Sequence, residues 1–310
     1  MKIKSPSFQK LSIPEKAKVA IVYRFATPAA VKLAKDLAGN LKKKNYKVFT
    51  AFEQKLIPGT ELVKTKKGMN KINLVIVLGG DGTYLRAVRM IDGEQIPTLG
   101  INLGSLGFLT TTLAEEALLA VEKTLNGEMY LQPRAMLEVK VYRKNKLRAE
   151  LVSLNDIVLE RGQRSQLINV SLSTEKNFVN EIKADGLIIS SPTGSTAYNL
   201  AAGGPIMHPE VKAFVVTAIA PHSLTSRPLI FPDHRSLILK LINKKQKLSP
   251  NTKSEARLVI DGRMFDKIGL EDEIRIKRYA QDHLMIRDPN LNFFSLLREK
   301  MKFGDREGKS

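Results

Sequence analysis

The sequence predicts an α/β domain followed by a β-rich domain, with a closing helix near the C-terminus. Three observations predict this organisation. A chain of 310 residues exceeds the usual size of one hydrophobic core. Apolar strands alternate with helical patterns up to Asn126-Gly127, and the apolar period becomes two after Pro133. The predicted domains span residues 1–127 and 128–290, and residues 291–310 form the closing helix and tail.

The alternation of strands and helices in residues 1–127 indicates a parallel sheet, because parallel strands need crossover connections. Ile72–Leu78 is a continuous apolar run, as expected of a strand buried on both faces. Pro28–Asn45 predicts a helix with proline in its first turn. The other predicted elements are strands at Val19–Tyr23, Val48–Ala51 and Thr98–Asn102, and helices at Thr83–Ile91 and Ala114–Leu125.

The period of two in the second domain predicts strands separated by polar breaks. Near the C-terminus, Asn292–Phe303 has an apolar face at helical spacing, which predicts a helix that docks on one of the domains. The predicted strands of the second domain are Leu137–Tyr142, Glu150–Glu160, Leu167–Ser173, Phe178–Ile182, Phe214–Ile219, Ser236–Leu241, Glu255–Ile260 and Glu273–Lys277.

Composition excludes several chemistries. The chain contains no cysteine, so disulfides, thiolate zinc sites and cysteine nucleophiles are impossible. Its four histidines include no His-x-x-x-His pair of the kind that binds zinc on a helix. The formal charge of +19 attracts anions such as nucleic acid, anionic lipid or phosphorylated small molecules, although a solvated basic surface explains it more simply.

The apolar segments predict a soluble, cytoplasmic protein. The longest of them, such as Leu74–Leu78 and Phe214–Ala220, are much shorter than a membrane span. The first residues carry charges and a proline, Pro6, without an apolar core of signal-peptide length.

The first candidate site is Gly79-Gly80-Asp81-Gly82-Thr83, which follows strand Ile72–Leu78 directly. Glycines let an anion approach the backbone, and the helix that follows presents free N–H groups. An aspartate here would repel phosphate, so it is better suited to accept a proton from a hydroxyl or to hold a metal. A helix cap is the structural alternative. The position after a buried strand, where open α/β sheets bind ligands, favours a functional role.

A second glycine cluster, Asn102–Leu109, follows the next predicted strand. We expect it to face the same crevice, because it lies at another strand end. Phe108 is suited either to stacking on a base or to a place in the core.

A third cluster lies in the β-rich domain. Lys183-Ala184-Asp185-Gly186 precedes a short apolar strand, Leu187–Ile189, and then Ser190–Asn199 and Ala201–Pro205 follow. Small, hydrogen-bonding residues and glycines suit a close-fitting nucleotide surface, whereas the alternative is a plain Ser/Thr/Gly loop. Ser195 lacks the Gly-x-Ser-x-Gly pattern of a nucleophile elbow.

Asn155-Asp156 interrupts the apolar strand Leu151–Leu159. A polar pair inside a strand costs free energy unless its groups find partners. A ribose diol is one such partner, and turn chemistry or a cluster of N–H groups is another.

Together these motifs resemble the NAD kinases, over nearly the whole chain from about Val19 to Phe303. Gly-Gly-Asp-Gly-Thr alone also occurs in lipid kinases and phosphofructokinases, but the order and spacing of all the blocks are specific. The blocks that carry the resemblance are Gly79–Thr83, Asn102–Leu109, Asn155-Asp156, Asp185-Gly186, Ser191–Tyr198, Gly203–Ile206, Pro221–Leu229 and Asp261-Gly262.

The resemblance implies a nucleotide-binding α/β domain, a β-sandwich-like domain that completes the NAD site, and a C-terminal helix that returns to the first domain. It implies ATP as the phosphoryl donor and a divalent metal ion, most commonly Mg²⁺, with no dedicated metal-binding residue assigned. It also implies a homodimer or homotetramer formed through the β domain.

The resemblance also implies residue roles. Asp81 is the catalytic residue that accepts the proton of the adenosine 2′-hydroxyl, and Asn155 and Asp156 hold the adenosine and its ribose. The NAD-binding residues are Asp81, Gly82, Phe108, Asn155, Asp156, Gln166, Lys183, Asp185, Thr193, Thr196, Ala197, Tyr198, Asn199, Leu200, Ala201 and Arg263. The phosphate-binding residues are Gly79, Gly80, Gly82, Thr83 and Arg86.

Two positions depart from the usual pattern or lie where the family varies. Ala201 stands where many members carry serine, and Arg263 is at a variable position. Both concern contacts at the ends of the substrate, and neither concerns the chemistry.

Two other functions compete with this one. A lipid kinase shares the glycine–aspartate loop but needs an apolar cleft, whereas the third cluster is polar. A nucleic-acid-binding protein is compatible with the charge of +19 and predicts steeply salt-dependent binding. No nucleic-acid motif is present in the sequence, so we expect NAD and ATP as partners and neither a specific nucleic acid nor a membrane.

Overall fold

The fold is taken from a computed structural model that describes residues 9–162, 166–243 and 255–302. The chain forms two compact units. Unit 1 contains the described residues up to Pro133 and those from His283 onwards, and unit 2 contains Arg134–Asp282. Residues 128–133 and 283–290, which the sequence patterns assign to the β-rich domain, therefore belong to unit 1. The reason is that strands of the unit 1 sheet run through both segments.

The helices and strands within the described residues are as follows. The α-helices are α1 (Pro28–Lys43), α2 (Asp81–Ile91), α3 (Ala117–Leu125), α4 (Tyr198–Ala201) and α5 (Phe293–Met301). Short 3₁₀ helices cover Lys66–Lys71, Ala114–Glu116 and Gly194–Thr196. The strands are β1 (Gln9–Lys10), β2 (Lys18–Tyr23), β3 (Lys47–Thr50), β4 (Glu61–Leu62), β5 (Leu74–Leu78), β6 (Thr98–Asn102), β7 (Thr112–Leu113), β8 (Tyr130–Arg134), β9 (Leu137–Arg143), β10 (Lys146–Ser153), β11 (Asp156–Arg161), β12 (Ile168–Thr174), β13 (Phe178–Ala184), β14 (Gly186–Ser190), β15 (Ala213–Ile219), β16 (Leu229–Pro232), β17 (Leu237–Leu241), β18 (Ala256–Ile260), β19 (Arg263–Ile268), β20 (Asp272–Arg278) and β21 (His283–Arg287).

Within the residues that the structure describes, unit 1 contains one sheet with the strand order β1-β8-β21-β6-β5-β2-β3-β4, and β7 pairs with β6. The pairs from β21 through β4 are parallel, which confirms the predicted parallel sheet. Every residue of β5 is fully buried, as its continuous apolar sequence predicts. The α1 helix begins at Pro28 and buries Ala30, Ala34, Leu37 and Leu41 on one face.

Unit 2 is an antiparallel β domain. In the part of the chain that the structure describes, it has two six-stranded sheets, ordered β10-β9-β20-β17-β12-β13 and β16-β15-β14-β11-β18-β19. Alternate residues of both sheets meet in one hydrophobic cluster, which includes Val139 and Ile274 from the first sheet and Ile157 and Leu187 from the second. This arrangement confirms the predicted β-sandwich-like domain.

The continuous strand predicted over Glu150–Glu160 is wrong. The chain leaves the first sheet at Ser153, the last residue of β10, and enters the second sheet at Asp156, the first residue of β11. Leu154 and Asn155 form the link between the two sheets. The apolar alternation continues through this link because both strands face the same core, and so periodicity alone did not reveal the crossing.

The predicted closing helix is confirmed as α5, which belongs to unit 1. Asn292 caps it by accepting a hydrogen bond from the backbone N–H of Ser295 at 2.8 Å. Leu296 and Leu297 are its buried residues. Phe303, the end of the predicted helix, lies outside the described residues. Among the described helices, none combines the length and the apolar character needed to cross a bilayer.

Candidate active site

The Gly79–Thr83 loop joins the carboxyl end of β5 to α2, which begins at Asp81. The turn at Gly79 needs glycine, because a Cβ atom there would lie 2.4 Å from Oγ1 of Thr83. The backbone N–H of Gly79 donates to the carbonyl of Ile101 at 2.9 Å, so the start of the turn is fixed to β6. At the start of α2 the N–H of Thr83 donates to the carbonyl of Gly80 at 2.9 Å. The N–H groups of the first two helical residues, Asp81 and Gly82, have no acceptor within the helix.

Asp81 contacts the second glycine cluster instead of capping its own helix. Its Oδ1 atom accepts hydrogen bonds from the N–H groups of Leu109 and Thr110, both at 3.1 Å, and from the Thr110 hydroxyl at 2.9 Å. Its Oδ2 atom accepts one from the N–H of Phe108 at 2.9 Å. A carboxylate oxygen has two lone pairs, so Oδ2 retains capacity for one more donor. The structure therefore brings the two predicted glycine loops together around one oriented carboxylate.

Gly107 makes this contact possible. A Cβ atom at this position would lie 2.0 Å from Oδ1 of Asp81 and 2.7 Å from Oγ1 of Thr110. In the same loop, a Cβ atom at Gly104 would come no closer than 3.8 Å, to Oδ1 of Asn102. The packing around the Asp81 carboxylate therefore requires glycine at position 107 and not at position 104.

The other predicted residues of unit 1 have different environments. Gly82 is exposed, whereas Thr83 and Phe108 are half-buried. Arg86 lies over the ring of Phe25, 4.1 Å from its centroid, and donates to the carbonyl of Tyr23 at 2.5 Å. Burial, and then the charge of Arg89, lowers the pKa of Arg86. The guanidinium is thus already engaged by the end of β2, which the sequence did not predict.

In unit 2, Asn155 and Asp156 lie at a turn that Asp261 holds. The Asp261 carboxylate accepts hydrogen bonds from the Ser153 hydroxyl at 2.7 Å and from the N–H of Leu154 at 3.0 Å. It also accepts from the N–H groups of Asn155 at 2.8 Å and Asp156 at 3.3 Å. The N–H cluster of this turn therefore serves the Asp261 carboxylate and leaves Oδ1 of Asn155 without a partner among the described residues.

The Ser190–Gly204 segment packs against the same turn. The Ser191 hydroxyl donates to the carbonyl of Leu154 at 2.5 Å, and its N–H donates to the carbonyl of Asn155 at 2.9 Å. A Cβ atom at Gly194 would lie 2.1 Å from the Asn155 carbonyl oxygen, so glycine is required there. The Ser195 hydroxyl is buried, donates to the Pro192 carbonyl at 2.7 Å and accepts from the N–H of Met207 at 2.9 Å. These bonds give Ser195 a structural role.

Two buried polar atoms in this region have no hydrogen-bond partner among the described residues. They are Oδ1 of Asn155 and Oγ1 of Thr193, and both side chains are less than 10% exposed. A buried acceptor or hydroxyl without a partner costs about 1–3 kcal/mol. A polar ligand would supply the missing hydrogen bonds, which is the structural observation that favours a binding role for this surface.

The two acids of the turn have perturbed pKa values. Burial, reinforced by the Asp261 charge, raises the pKa of Asp156 to about 7. Burial also raises the pKa of Asp261, although its four hydrogen-bond donors oppose that rise. A carboxyl group that titrates near neutrality is characteristic of functional sites.

Asn199 is fully buried and its amide is satisfied internally. Its Nδ2 donates to the carbonyls of Ser195 and Pro205 at 3.1 and 3.0 Å, and its Oδ1 accepts from the Thr217 hydroxyl at 2.7 Å. A Cβ atom at Gly204 would lie 2.0 Å from this Oδ1. Asn199 therefore holds the loop together, while Tyr198 and Ala201 beside it are exposed.

The remaining predicted residues of unit 2 differ in exposure. Asp185 is half-buried and pairs with Arg161 at 3.1 Å. The exposed residues are Gln166, Lys183, Tyr198, Ala201 and Arg263, and the half-buried ones are Thr196, Ala197 and Leu200.

Sequence reasoning missed three residues that organise these clusters. Thr110 lies one residue beyond the predicted glycine cluster and donates twice to Asp81. Asp261 was noted only as part of an Asp-Gly pair, and that pair is the signal for its turn, where Asp261 has a φ of 46°. Arg287, whose guanidinium reaches the carbonyl of Phe108, lies 179 positions away from it in the sequence.

Two family profiles match the chain. The ATP-NAD kinase N-terminal domain matches residues 19–129, and the ATP-NAD kinase C-terminal domain matches residues 154–287. The chain is 52% identical to an NAD kinase of Bdellovibrio bacteriovorus over 297 residues, which are 96% of this chain and 95% of that protein. It is 36% identical to an NAD kinase of Syntrophotalea carbinolica, over 93% of this chain and 99% of the relative.

Solved structures show the same fold. A crystal structure of yeast NADH kinase complexed with NADH has a TM-score of 0.87 and 25% identity, and the match covers 97% of this chain and 91% of that one. An NAD kinase from Archaeoglobus fulgidus in complex with ATP has a TM-score of 0.70 at 23% identity, over 93% of this chain and 100% of that one. The fold and the domain matches define a phosphotransferase. The chain belongs to the NAD kinase family.

Proposed function

We propose that the chain transfers the γ-phosphoryl group of ATP to the 2′-hydroxyl of the adenosine ribose of NAD, with Asp81 as the general base. The observation that carries this proposal is the Asp81 carboxylate, which four donors orient at the carboxyl end of a parallel sheet. The family matches favour this activity over a lipid kinase or a nucleic-acid-binding protein.

The chemistry needs one proton acceptor. As the ribose 2′-oxygen forms its bond to the γ-phosphorus, the bond from that phosphorus to the β,γ-bridging oxygen breaks and ADP leaves. The 2′-hydroxyl proton passes to Asp81 and then to solvent. We assign the acceptor atom as Oδ2, because Oδ1 already accepts three hydrogen bonds and Oδ2 only one.

The glycine loop supplies the electrostatic part of the mechanism. We propose that the backbone around Gly79, Gly80, Gly82 and Thr83 contacts the transferring phosphate. N–H groups at a helix start bind phosphate oxygens and neutralise charge that develops on them. Arg86 donates to the Tyr23 carbonyl through Nη2 and packs on Phe25, so we propose that it contacts phosphate through its other N–H groups.

A divalent metal fits this protein best as part of the substrate. Among the described residues, no group of three or more His, Asp or Glu side chains lies close enough to hold a metal ion. Mg²⁺ in kinases is bound largely by substrate phosphates and water, and there it neutralises phosphate charge. We therefore propose that magnesium arrives with ATP.

We propose that unit 2 recognises the NAD molecule. Asn155 and Thr193 offer their unpartnered polar atoms to the adenosine and ribose, and Asp156 offers a carboxyl group. Asn199 supports these residues from within the loop. The additional contacts that we propose are those of Phe108, Gln166, Lys183, Asp185, Thr196, Ala197, Tyr198, Leu200, Ala201 and Arg263.

We further propose that the enzyme works in the cytoplasm as a homodimer or homotetramer. The absence of cysteine fits a reducing compartment. Light scattering of the purified protein tests the oligomeric state, and a mass of one chain at assay concentration would contradict it.

A single assay tests the activity. Purified protein is incubated with NAD, ATP and Mg²⁺, and NADP is measured with an NADP-specific dehydrogenase. We expect NADP to form in proportion to protein concentration and ADP to appear in equal amount. Matched reactions replace NAD by diacylglycerol or sphingosine. Phosphorylated lipid without NADP would reject the proposal.

Gly107→Ala is expected to lower kcat by roughly 10²-fold, because the added methyl group displaces the Asp81 carboxylate. The measurement is steady-state NADP formation at saturating NAD and ATP. Gly104→Ala is the matched control in the same loop and is expected to retain kcat within about threefold, since its Cβ has room. Equal activity of the two variants would show that the position of the carboxylate is not critical.

A further inference from the structure

Arg287 is a buried cation at the carboxyl end of β21, and the mechanism above does not use it. Its side chain is only 4% exposed. Burial lowers the pKa of Arg287 to about 10, although the nearby Tyr84 and Asp81 oppose this effect. Its Nε and Nη1 atoms are buried and have no hydrogen-bond partner among the described residues. A buried cation with unpartnered donors lowers the free energy of unfolding, so Arg287 is not explained as a stabilising residue.

The contact that Arg287 does make lies next to the proposed base. Its Nη2 atom donates to the carbonyl oxygen of Phe108 at 2.5 Å. The N–H of the same peptide group, which belongs to Leu109, donates to Oδ1 of Asp81 at 3.1 Å. One planar peptide therefore lies between a guanidinium and a carboxylate. Hydrogen bonds arranged in such a chain polarise one another, so the bond to Arg287 strengthens the bond to Asp81.

We propose that Arg287 is a positioning residue for the general base, and that it holds and polarises the Phe108–Leu109 peptide that orients the Asp81 carboxylate. This inference rests on the proposed role of Asp81. The hydrogen bond of Arg287 goes to the loop and not to the Asp81 carboxylate, so Arg287 acts on the base through the loop and through its nearby charge. A pKa of about 10 still keeps the Arg287 guanidinium charged near neutral pH, so this contact is present where the enzyme works.

A second contact of the same strand provides a control. The hydroxyl of Tyr84, on α2, lies 2.9 Å from Nε2 of His283 at the start of β21. Both side chains are buried. Tyr84→Phe removes this hydrogen bond and a longer one, at 3.4 Å, from the Tyr84 hydroxyl to the carbonyl of Thr98. It keeps the Arg287 cation and its bond to the Phe108 carbonyl. It therefore reports what a loss of structural support near Arg287 does while the cation is retained.

The test compares full-length Arg287→Met, Arg287→Lys and Tyr84→Phe variants with the unaltered protein. For Arg287→Met we expect kcat to fall about 10- to 100-fold with little change in KM for NAD, the scale of a displaced catalytic group. We also expect the acidic limb of kcat against pH to move to higher pH, because the Leu109 N–H donates less strongly once its peptide has lost the guanidinium. Arg287→Lys should have a higher kcat than Arg287→Met. Tyr84→Phe should lower the melting temperature without changing the dependence of kcat on pH.

Chemical rescue separates the role of the cation from that of packing. In Arg287→Ala, added guanidinium at low millimolar concentration should restore part of kcat, whereas urea, which has a similar shape and no charge, should not. The rescue experiment also tests the inference if Arg287→Met folds poorly. Rescue by both compounds to the same extent, or by neither, would overturn it.

The remaining outcomes distinguish this inference from the proposed function. If Asp81→Asn abolishes activity but Arg287→Met retains kcat and the pH profile, the inference is wrong and the function of Asp81 stands. If Asp81→Asn retains activity, the role of Asp81 fails and the inference fails with it. If Arg287→Met and Tyr84→Phe lose kcat in parallel, with unchanged pH profiles, Arg287 is only structural.

Discussion

Replacing Asp81 by asparagine is expected to lower kcat by roughly 10²- to 10⁴-fold, the range found for removal of a general base. The amide cannot accept the 2′-hydroxyl proton at neutral pH. If its oxygen takes the place of Oδ1, its NH₂ group faces the N–H of Phe108, donor against donor, and the loop loses one hydrogen bond. Affinity for NAD should change much less than kcat, because the proposed NAD contacts are distributed over many residues.

The measurements for Asp81→Asn are steady-state NADP formation and the dissociation constant of NAD by calorimetry. Asp92→Asn is the matched control, since Asp92 lies at the other end of α2 in an exposed ion pair with Lys66. Exposed ion pairs contribute about 0–1 kcal/mol to the free energy of unfolding. Loss of this pair should therefore leave the fold intact, and Asp92→Asn should retain its activity. Turnover of Asp81→Asn within about threefold of the unaltered enzyme would remove Asp81 from the role of base.

Asp156→Asn is expected to make unit 2 more stable at alkaline pH. Burial raises the pKa of Asp156 from its ordinary 3.8 to about 7, so between these values the folded state binds the proton and the unfolded state releases it. The stabilisation from this proton is fully present below about pH 4 and is lost as the pH rises through about 7. The difference between the two pKa values corresponds to about 4 kcal/mol.

Asparagine stays neutral at every pH, so the variant should not show this loss. We expect its free energy of unfolding to exceed that of the unaltered protein by up to about 4 kcal/mol above pH 8, and the two to converge near pH 4. Hydrogen exchange at the amides of β11 and β14 measures this quantity for unit 2. Glu271→Gln, in an exposed pair with Lys144, is the control and should leave the pH dependence unchanged. If the free energy of unfolding depends on pH identically in Asp156→Asn and in the unaltered protein, burial does not raise the pKa of Asp156 and the prediction is wrong.

Local sequence patterns were sufficient to predict most of the fold. The apolar run of β5 and the glycines after it predicted a buried strand that turns directly into a helix, because both signals lie within a few residues of each other. That this turn binds a ligand stays a prediction. The link at Leu154 and Asn155 escaped prediction, since the period of two continues across it while the chain changes sheets. The N–H groups of Leu154 and Asn155 donate to Asp261 at this crossing, and Asp261 lies more than a hundred residues away in the sequence.

The candidate site was predicted unevenly for the same reason. Asp81 was identified from its neighbours, and the second glycine cluster was expected to face the same crevice. The sequence did not show that donors from residues 108–110 orient the Asp81 carboxylate. Arg287 was missed entirely, because a single arginine at the end of a short apolar strand has no distinctive spacing. Arg86 was predicted to bind phosphate, whereas in the structure its guanidinium packs on Phe25. The sequence around an arginine does not determine which group the arginine contacts.

The order of the segments in unit 1 has a consequence for synthesis. Unit 2 separates β8 from β21, so the ribosome makes the whole of unit 2 before the strand that inserts between β8 and β6. A nascent chain that ends before His283 lacks the hydrogen bond from Arg287 to Phe108. Phosphoryl transfer should therefore begin only after β21 has been made, and its onset marks the completion of the enzyme.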